Sequence, residues 1–271
     1  MLSHRLAGLF IAFAVLSLLF GVLQRLSPSI RGQKTFRAGF LTDCIYWLWT
    51  PIVTRGITPL VVALALLPLA AYYGTDLRSL LKGHGALAAQ PLWLQGLAIF
   101  VIGDFLGYWQ HRLFHTSRLW PFHAVHHSSN ELDWLSSVRL HPVNDVISRL
   151  IVALPLVAAG FNVGVVALYA PFTTFYAILI HANLDWDYGP FRYVIASPMF
   201  HRWHHTRAEE NRNFSGGLPL WDLLFGTFHM PRGEKPAAFG IDEPMPQGFV
   251  GQMLAPFARK DRDQDQEAVP T

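Results

Sequence analysis

The sequence is poor in charge, in cysteine and in polar linkers. Charged residues fill 14% of its 271 positions, against about 25% in an average soluble domain. With 52% hydrophobic residues, that scarcity excludes a disordered or linker-type protein and argues against an ordinary soluble domain. A net charge of +3 is too mild for a nucleic-acid partner, which would call for a strongly basic face. The one cysteine, Cys44, excludes an internal disulfide and a cysteine-based metal site. No Gly/Ser linker marks a second domain. What the chain does have is a series of apolar runs and 13 histidines, unevenly spread.

The apolar runs read as membrane spans. Residues 6–23 carry no charge; at about 1.5 Å per residue they reach roughly 27 Å, close to the hydrocarbon core of about 30 Å. Arg5 before the run invites a signal-peptide reading, but the run is long for one and no Ala-x-Ala site follows. A retained transmembrane helix is expected. Residues 24–39 hold Arg25, Arg31, Lys34 and Arg37 and no acid, a cytoplasmic-type loop. The runs 41–53 and 57–73 form one bent span or a half-span plus a full one, with Pro51, Pro59 and Pro68 permitting kinks. A polar loop, 74–90, precedes a span over 91–109 that ends in Tyr108 and Trp109, suited to the interface. Residues 146–181 are apolar except Arg149, with Gly160, Asn162 and Gly164 in the middle. Two full spans need about 40 residues, so a tight hairpin of two short helices, or a re-entrant one, is expected. Nothing after residue 182 is long enough to span, and the polar stretch 258–271 is expected to be disordered.

Span parity then sets the sidedness. With 24–56 inside, the chain crosses out at 57–73 and back at 91–109. Residues 110–145 and 182–271 then lie on the same face as 24–56. The expected fold is an all-α, multi-pass integral membrane protein of about four to five transmembrane or re-entrant helices, with a cytosolic helical cap carrying the histidines. Arginine over lysine and abundant alanine point to a GC-rich bacterium, hence to an inner membrane with the site on its cytoplasmic face.

His111 and His115 stand in HRLFH, His123, His126 and His127 in HAVHH, and His201, His204 and His205 in HRWHH. At this histidine frequency about 0.03 His-x-x-His-His matches are expected by chance, and the chain has two. On a helix, positions three and four apart share a face, so each segment can aim two or three imidazoles at one point. Neutral imidazole suits Fe, Zn, Cu or Ni. Eight such ligands exceed what one ion takes, so two ions sharing the set is the economical reading. His181, where the hairpin emerges, and His141, just before it starts, are candidates to complete the shell; capping or interfacial roles are the alternatives. His4, His84 and His229 are isolated and read as ordinary polar residues. Asp104 stands on one helical stripe with Tyr108, His111 and His115, and could accept a hydrogen bond from the outer nitrogen of a ligating imidazole; a neighbouring helix could satisfy it instead. Asn183, two residues past His181, could hold a metal-bound water.

The run GDFLGYWQHRLFHTSRLWPFHAVHHSS, followed by RLHPVND, HANLDW, HRWHH and NRNFSGGLPLWDLLFGTFHMP, resembles the fatty acid hydroxylase superfamily. This is the integral-membrane group that includes sterol desaturases, carotenoid hydroxylases and alkylglycerol monooxygenase. The resemblance covers about residues 100–232. It implies a non-haem di-iron site, molecular oxygen as oxidant and electrons from a separate ferredoxin- or cytochrome-type protein with its reductase. It carries ligand roles onto His111, His115, His123, His126, His127, His181, His201, His204 and His205, and onto His141, and none onto His229. Zinc could substitute for iron. The His-Pro-Gly-Gly of members fused to a cytochrome is absent, so the donor must come from elsewhere. The expected division is an N-terminal transmembrane region over 1–90, a catalytic domain over 91–232 and a partly disordered tail over 233–271.

The implied chemistry is hydroxylation or desaturation of a C–H bond in a lipid such as a fatty acyl, sterol or isoprenoid chain. Soluble di-iron carboxylate bundles need Glu-x-x-His pairs and zincin proteases need His-Glu-x-x-His; the sequence has neither. A metal transporter or metal-storage protein is the rival from another class. It would place ionisable ligands near mid-membrane, whereas these histidines flank the spans.

Overall fold

The computed structural model describes residues 2–207, 211–236 and 238–258, and among them every regular element is helical. In chain order these are α1 (Leu2–Leu26), α2 (Phe40–Trp49), α3 (Arg55–Tyr72), α4 (Leu77–Leu81), α5 (Gly85–Ala88), α6 (Leu92–Thr116) and α7 (Trp120–His127), then α8 (Pro142–Ala158), α9 (Val163–His181), α10 (Pro198–His204), α11 (Leu220–Phe225) and α12 (Phe249–Ala258). Four stretches are long and apolar enough to cross a membrane: Ser3–Leu26, Phe40–Tyr72, Leu92–Thr116 and Val163–His181. Their outward faces are apolar, as at Leu18, Leu60 and Leu168, which suits a lipid solvent.

The local reasons are legible. The runs 41–53 and 57–73 are one continuous rod, because a π turn over Thr50–Thr54 joins α2 to α3, a common way for a helix to absorb a proline. The hairpin is the pair α8 and α9. Pro142 opens α8 at a position where its missing N–H costs nothing, and the Asn162 side chain accepts from Gly164 N to cap α9. The polar loop 74–90 contains the short helices α4 and α5. The expected tail is helical over α12, with Tyr46 and Trp49 edge-on to Phe249. The disorder expected over 258–271 falls, past Ala258, outside the described residues.

Helix α6 is the central rod, packed on α8 and α9 while α3 packs on α8. Ile99, Leu156 and Phe161 make one core and Leu66, Leu80 and Val157 another. At the end away from the histidines, Gly83 and Gly160 bring two loops into contact. His84 N donates to Gly160 O at 3.0 Å, and Gly160 has φ +102 with no room for a Cβ against His84 O. At the other end, Asp185 N donates to Ser27 O and Arg37 pairs with Asp133. The 24–39 loop and the histidine-bearing segments therefore share one end of the helix bundle.

Candidate metal centre

Four elements aim histidines at one point below the bundle. His111 and His115 sit on the last turns of α6, which runs past the expected end of its span to Thr116. His123, His126 and His127 come from α7, His181 ends α9, and His201 and His204 lie on α10 with His205 at its C-cap. Ser197 starts α10 by accepting from Phe200 N.

The nine rings sort into two groups. His111, His115, His123, His127 and His204 form one; His126, His181, His201 and His205 form the other; within each, the ligand atoms lie within 4.8 Å of one another. Spacing explains the split. Neighbours four apart, such as His123 and His127 or His201 and His205, stay in one group. The intervening histidine of each His-x-x-His-His, His126 or His204, turns about 100° from its neighbour and joins the other. Each motif thus serves both groups, and His127 and His205 stack at 4.3 Å between ring centroids where the groups meet.

The outer ring nitrogens are fixed. His111 Nδ1 donates to Phe214 O at 2.8 Å, His126 Nδ1 to Arg139 O at 3.2 Å, His181 Nδ1 to Ala177 O at 2.6 Å and His204 Nδ1 to Arg212 O at 2.7 Å. His123 Nδ1 meets Asn144 Oδ1 at 2.8 Å. A carbonyl only accepts, so Nδ1 carries the proton and Nε2 of a neutral ring is left as an acceptor. Yet His126 Nε2 faces His181 Nε2 at 3.0 Å, and His111 Nε2 faces His123 Nε2 at 3.0 Å. Two acceptors do not bond each other; a cation between them resolves the contact. Two nitrogens about 2.1 Å from one ion at a right angle lie about 3.0 Å apart. His115 Nε2 is buried without a hydrogen-bond partner, a further donor atom free for an ion. The residues present therefore fit a metal in each group.

Electrostatics agree. Burial, and after it the neighbouring imidazoles, hold His123, His127, His201 and His205 well below the usual imidazole range. The same causes act on His126 and His204. All six stay neutral, the form that ligates. Arg202 is wholly buried, and burial pushes it down to about 9.

Three expected residues lie elsewhere in the bonding scheme. His141 is outside both groups: its Nδ1 accepts from Val143 N at 3.1 Å and its Nε2 donates to Met253 O at 3.2 Å, which leaves no lone pair for an ion. Asp104 accepts from Leu218 N at 2.8 Å and Trp221 Nε1 at 3.1 Å, not from an imidazole. It pins the 217–221 segment to α6, and Gly217 is tight against its carboxylate. Asn183 accepts from Ile30 N and donates to Ile30 O, both at 2.9 Å, so its amide ties the loop after α1 to the end of α9. His229 packs on Trp203, and His84 packs on Tyr73 at the far end.

Sequence reasoning missed the residues that hold the ligands. Asp222, wholly buried, accepts from Phe214 N, Ser215 N and Thr227 Oγ1, and so fixes the turn whose Phe214 carbonyl holds His111. Asn213, at φ 55, accepts from His229 N and donates to Phe200 O. Both stand in the Asn-x-Asn-Phe and Trp-Asp stretches, where the signal lay.

Residues 96–227, which hold all nine clustered histidines, match the fatty acid hydroxylase family. Among individual proteins, it is 35% identical over 175 residues to ornithine lipid hydroxylase OlsE of Rhizobium tropici, covering 64% of this chain and 53% of that one. It is 35% identical over 161 residues to alkylglycerol monooxygenase of Danio rerio (58% and 34% of the two chains). It is 32% identical over 138 residues to a very-long-chain aldehyde decarbonylase of Oryza sativa subsp. indica (46% and 21%). The chain thus spans about half the length of the first relative and less of the others. No solved structure matches it.

Proposed function

We propose that this chain is a membrane di-iron oxygenase that uses O2 and electrons from a separate ferredoxin- or cytochrome-type donor to hydroxylate a C–H bond of a lipid. The observation that carries the reading is the facing of acceptor nitrogens at 3.0 Å in both histidine groups. His111, His115, His123, His127 and His204 would hold one ion, and His126, His181, His201 and His205 the other. When bound, the two ions supply the redox chemistry that reduces O2 and oxidises the C–H bond; imidazole sites also accept zinc. The chain's own part is preorganisation. Carbonyls hold the Nδ1 protons and orient the rings, while Phe114, Phe214 and Trp120 pack around His115 and His123 and exclude water.

A lipid substrate follows from placement. The 25 residues of α6 extend about 37 Å, so its terminal histidines sit where bilayer meets water and a chain can enter from the membrane. The four cations of 24–39 put that face in the cytoplasm by the positive-inside rule, and we place the protein in a bacterial inner membrane. Hydroxylation is preferred over desaturation because two relatives are named for it. A transporter would need its ligands on a crossing path, whereas these are buried in a cap at one end. The test is lipid profiling of cells with and without the gene: a product richer by one oxygen atom supports hydroxylation, one poorer by two hydrogens means desaturation, and an unchanged profile overturns the reading.

A further inference from the structure

A cavity of about 770 Å³ lies apart from both histidine groups, between the end of α1, the loop that follows it and the 133–135 segment. Its size is that of a site for a whole small ligand, about 300–1,000 Å³. The α1 wall includes Phe13, Ser17, Gly21 and Gln24, spaced four, four and three apart and so on one helical face. Ser17 and Gly21 notch that face; near Gly21 only the Arg25 guanidinium comes within 4 Å of where a Cβ would stand. Across the cavity stand Phe40, Trp134 and Leu135. One part of the cavity is thus an apolar slot.

The other part is cationic. Arg25, Arg31 and Lys34 line it, are exposed, and form no ion pair among the described residues. The one acid in the lining, Asp133, is already neutralised by Arg37, whose Nε and Nη2 reach its two oxygens at 2.8 and 2.6 Å. Three uncompensated positive charges therefore face a space with apolar walls. A free anion would leave those walls wet, and a neutral lipid would leave the charges unanswered. An amphiphile with an anionic end answers both. Asn183 also lines the cavity, and two residues of chain put its Cα no more than about 7 Å from that of His181.

We propose that this cavity seats the anionic headgroup, a phosphate or carboxylate, of the lipid substrate; the word substrate rests on the oxygenase reading above. The test begins with binding to the full chain loaded with zinc, so that no oxidation intervenes. Native mass spectrometry compares retention of phosphatidylglycerol and phosphatidylcholine of the same chain composition. The expected result is at least a tenfold preference for phosphatidylglycerol, abolished in the R25Q/R31Q/K34Q variant and kept in R78Q/K82Q at the opposite end. Gly21→Leu fills the notch and leaves the net charge unchanged. It should lower retention several-fold, and it keeps the test decisive if the triple variant does not assemble. No preference in the unaltered protein, or full retention in Gly21→Leu, overturns the site. So does displacement of the lipid by millimolar inorganic phosphate, which would mean a plain anion site. With iron and a reductant, oxidation of the anionic lipid should fall with its binding. Binding lost with oxidation unchanged overturns the substrate role. Intact binding with no lipid oxidised at all overturns the oxygenase reading instead, and leaves the headgroup site standing.

Discussion

Asp43 and Arg139 join the N-terminal helices to the histidine cluster. Asp43 Oδ1 accepts from Arg139 Nε at 2.6 Å, and the carbonyl of that same arginine accepts from His126 Nδ1. Asp43 Oδ2 also accepts from Arg37 at 2.7 Å, so two buried cations share one carboxylate. Burial works against the Arg37 charge, but Asp133 and Asp43 outweigh it and its pKa is raised.

Asp43→Asn should therefore cost about 3–5 kcal/mol, the usual penalty for breaking a buried pair from one side. With Arg139 released, the group containing His126 should lose metal before the other does. Thermal unfolding in detergent and metal content per chain check this; two metals retained at unchanged stability would contradict it.

About two metal ions per chain are expected after growth in iron-replete cells. His126→Ala should bring that toward one and abolish lipid oxidation, with some loss of stability because a metal that binds only the folded chain supports the fold. His84→Ala should do neither, since its ring packs on Tyr73 at the opposite end. Elemental analysis of the two variants decides, and full metal content in His126→Ala would refute the ligand assignment.

Asp104→Ala should loosen the fold without emptying the centre. It strands the half-buried Leu218 N–H and Trp221 indole N–H, a loss of about 1–3 kcal/mol. The expected signature is a lower unfolding midpoint with unchanged metal stoichiometry; loss of metal at an unchanged midpoint would restore Asp104 to the site.

Low pH should destabilise the metal-free protein. Burial first, then neighbouring imidazoles, keeps His123, His126, His127, His201, His204 and His205 well below 6.5 when folded. Below the unfolded value the unfolded chain binds more protons, so stability falls with pH, by up to about 1.4 kcal/mol per histidine per unit. Above about 7.5 these groups add no slope. Unfolding midpoints after chelation should therefore drop between pH 7.5 and 5.5, and metal should leave in the same direction; a flat profile would argue against buried neutral imidazoles.

The spans and the histidine set were legible because each rests on a local signal: an uninterrupted apolar run, or a spacing that a helix turns into a shared face. Whether 41–73 is one rod or two segments, and whether 146–181 is a hairpin or re-entrant, stayed open in the sequence, because a proline or glycine permits a break without requiring one. Asp104, Asn183 and His141 were not legible. Each has partners set by tertiary contact, Asp104 with residues 114 and 117 positions away and Asn183 with one 153 away. His141 spends one nitrogen on its own helix start. Proximity in sequence to a ligand did not tell which way these side chains point.

The order in which the histidines occur along the chain bears on how the protein is made. His111 and His115 emerge first and His201, His204 and His205 last, and neither group is complete without the last three. During synthesis no full site exists until the α8–α9 hairpin has been inserted and residue 205 has cleared the ribosome. Capture of a metal by these groups would therefore be a late, post-insertion event, and a chain stalled or truncated within the hairpin would leave an incomplete set of imidazoles.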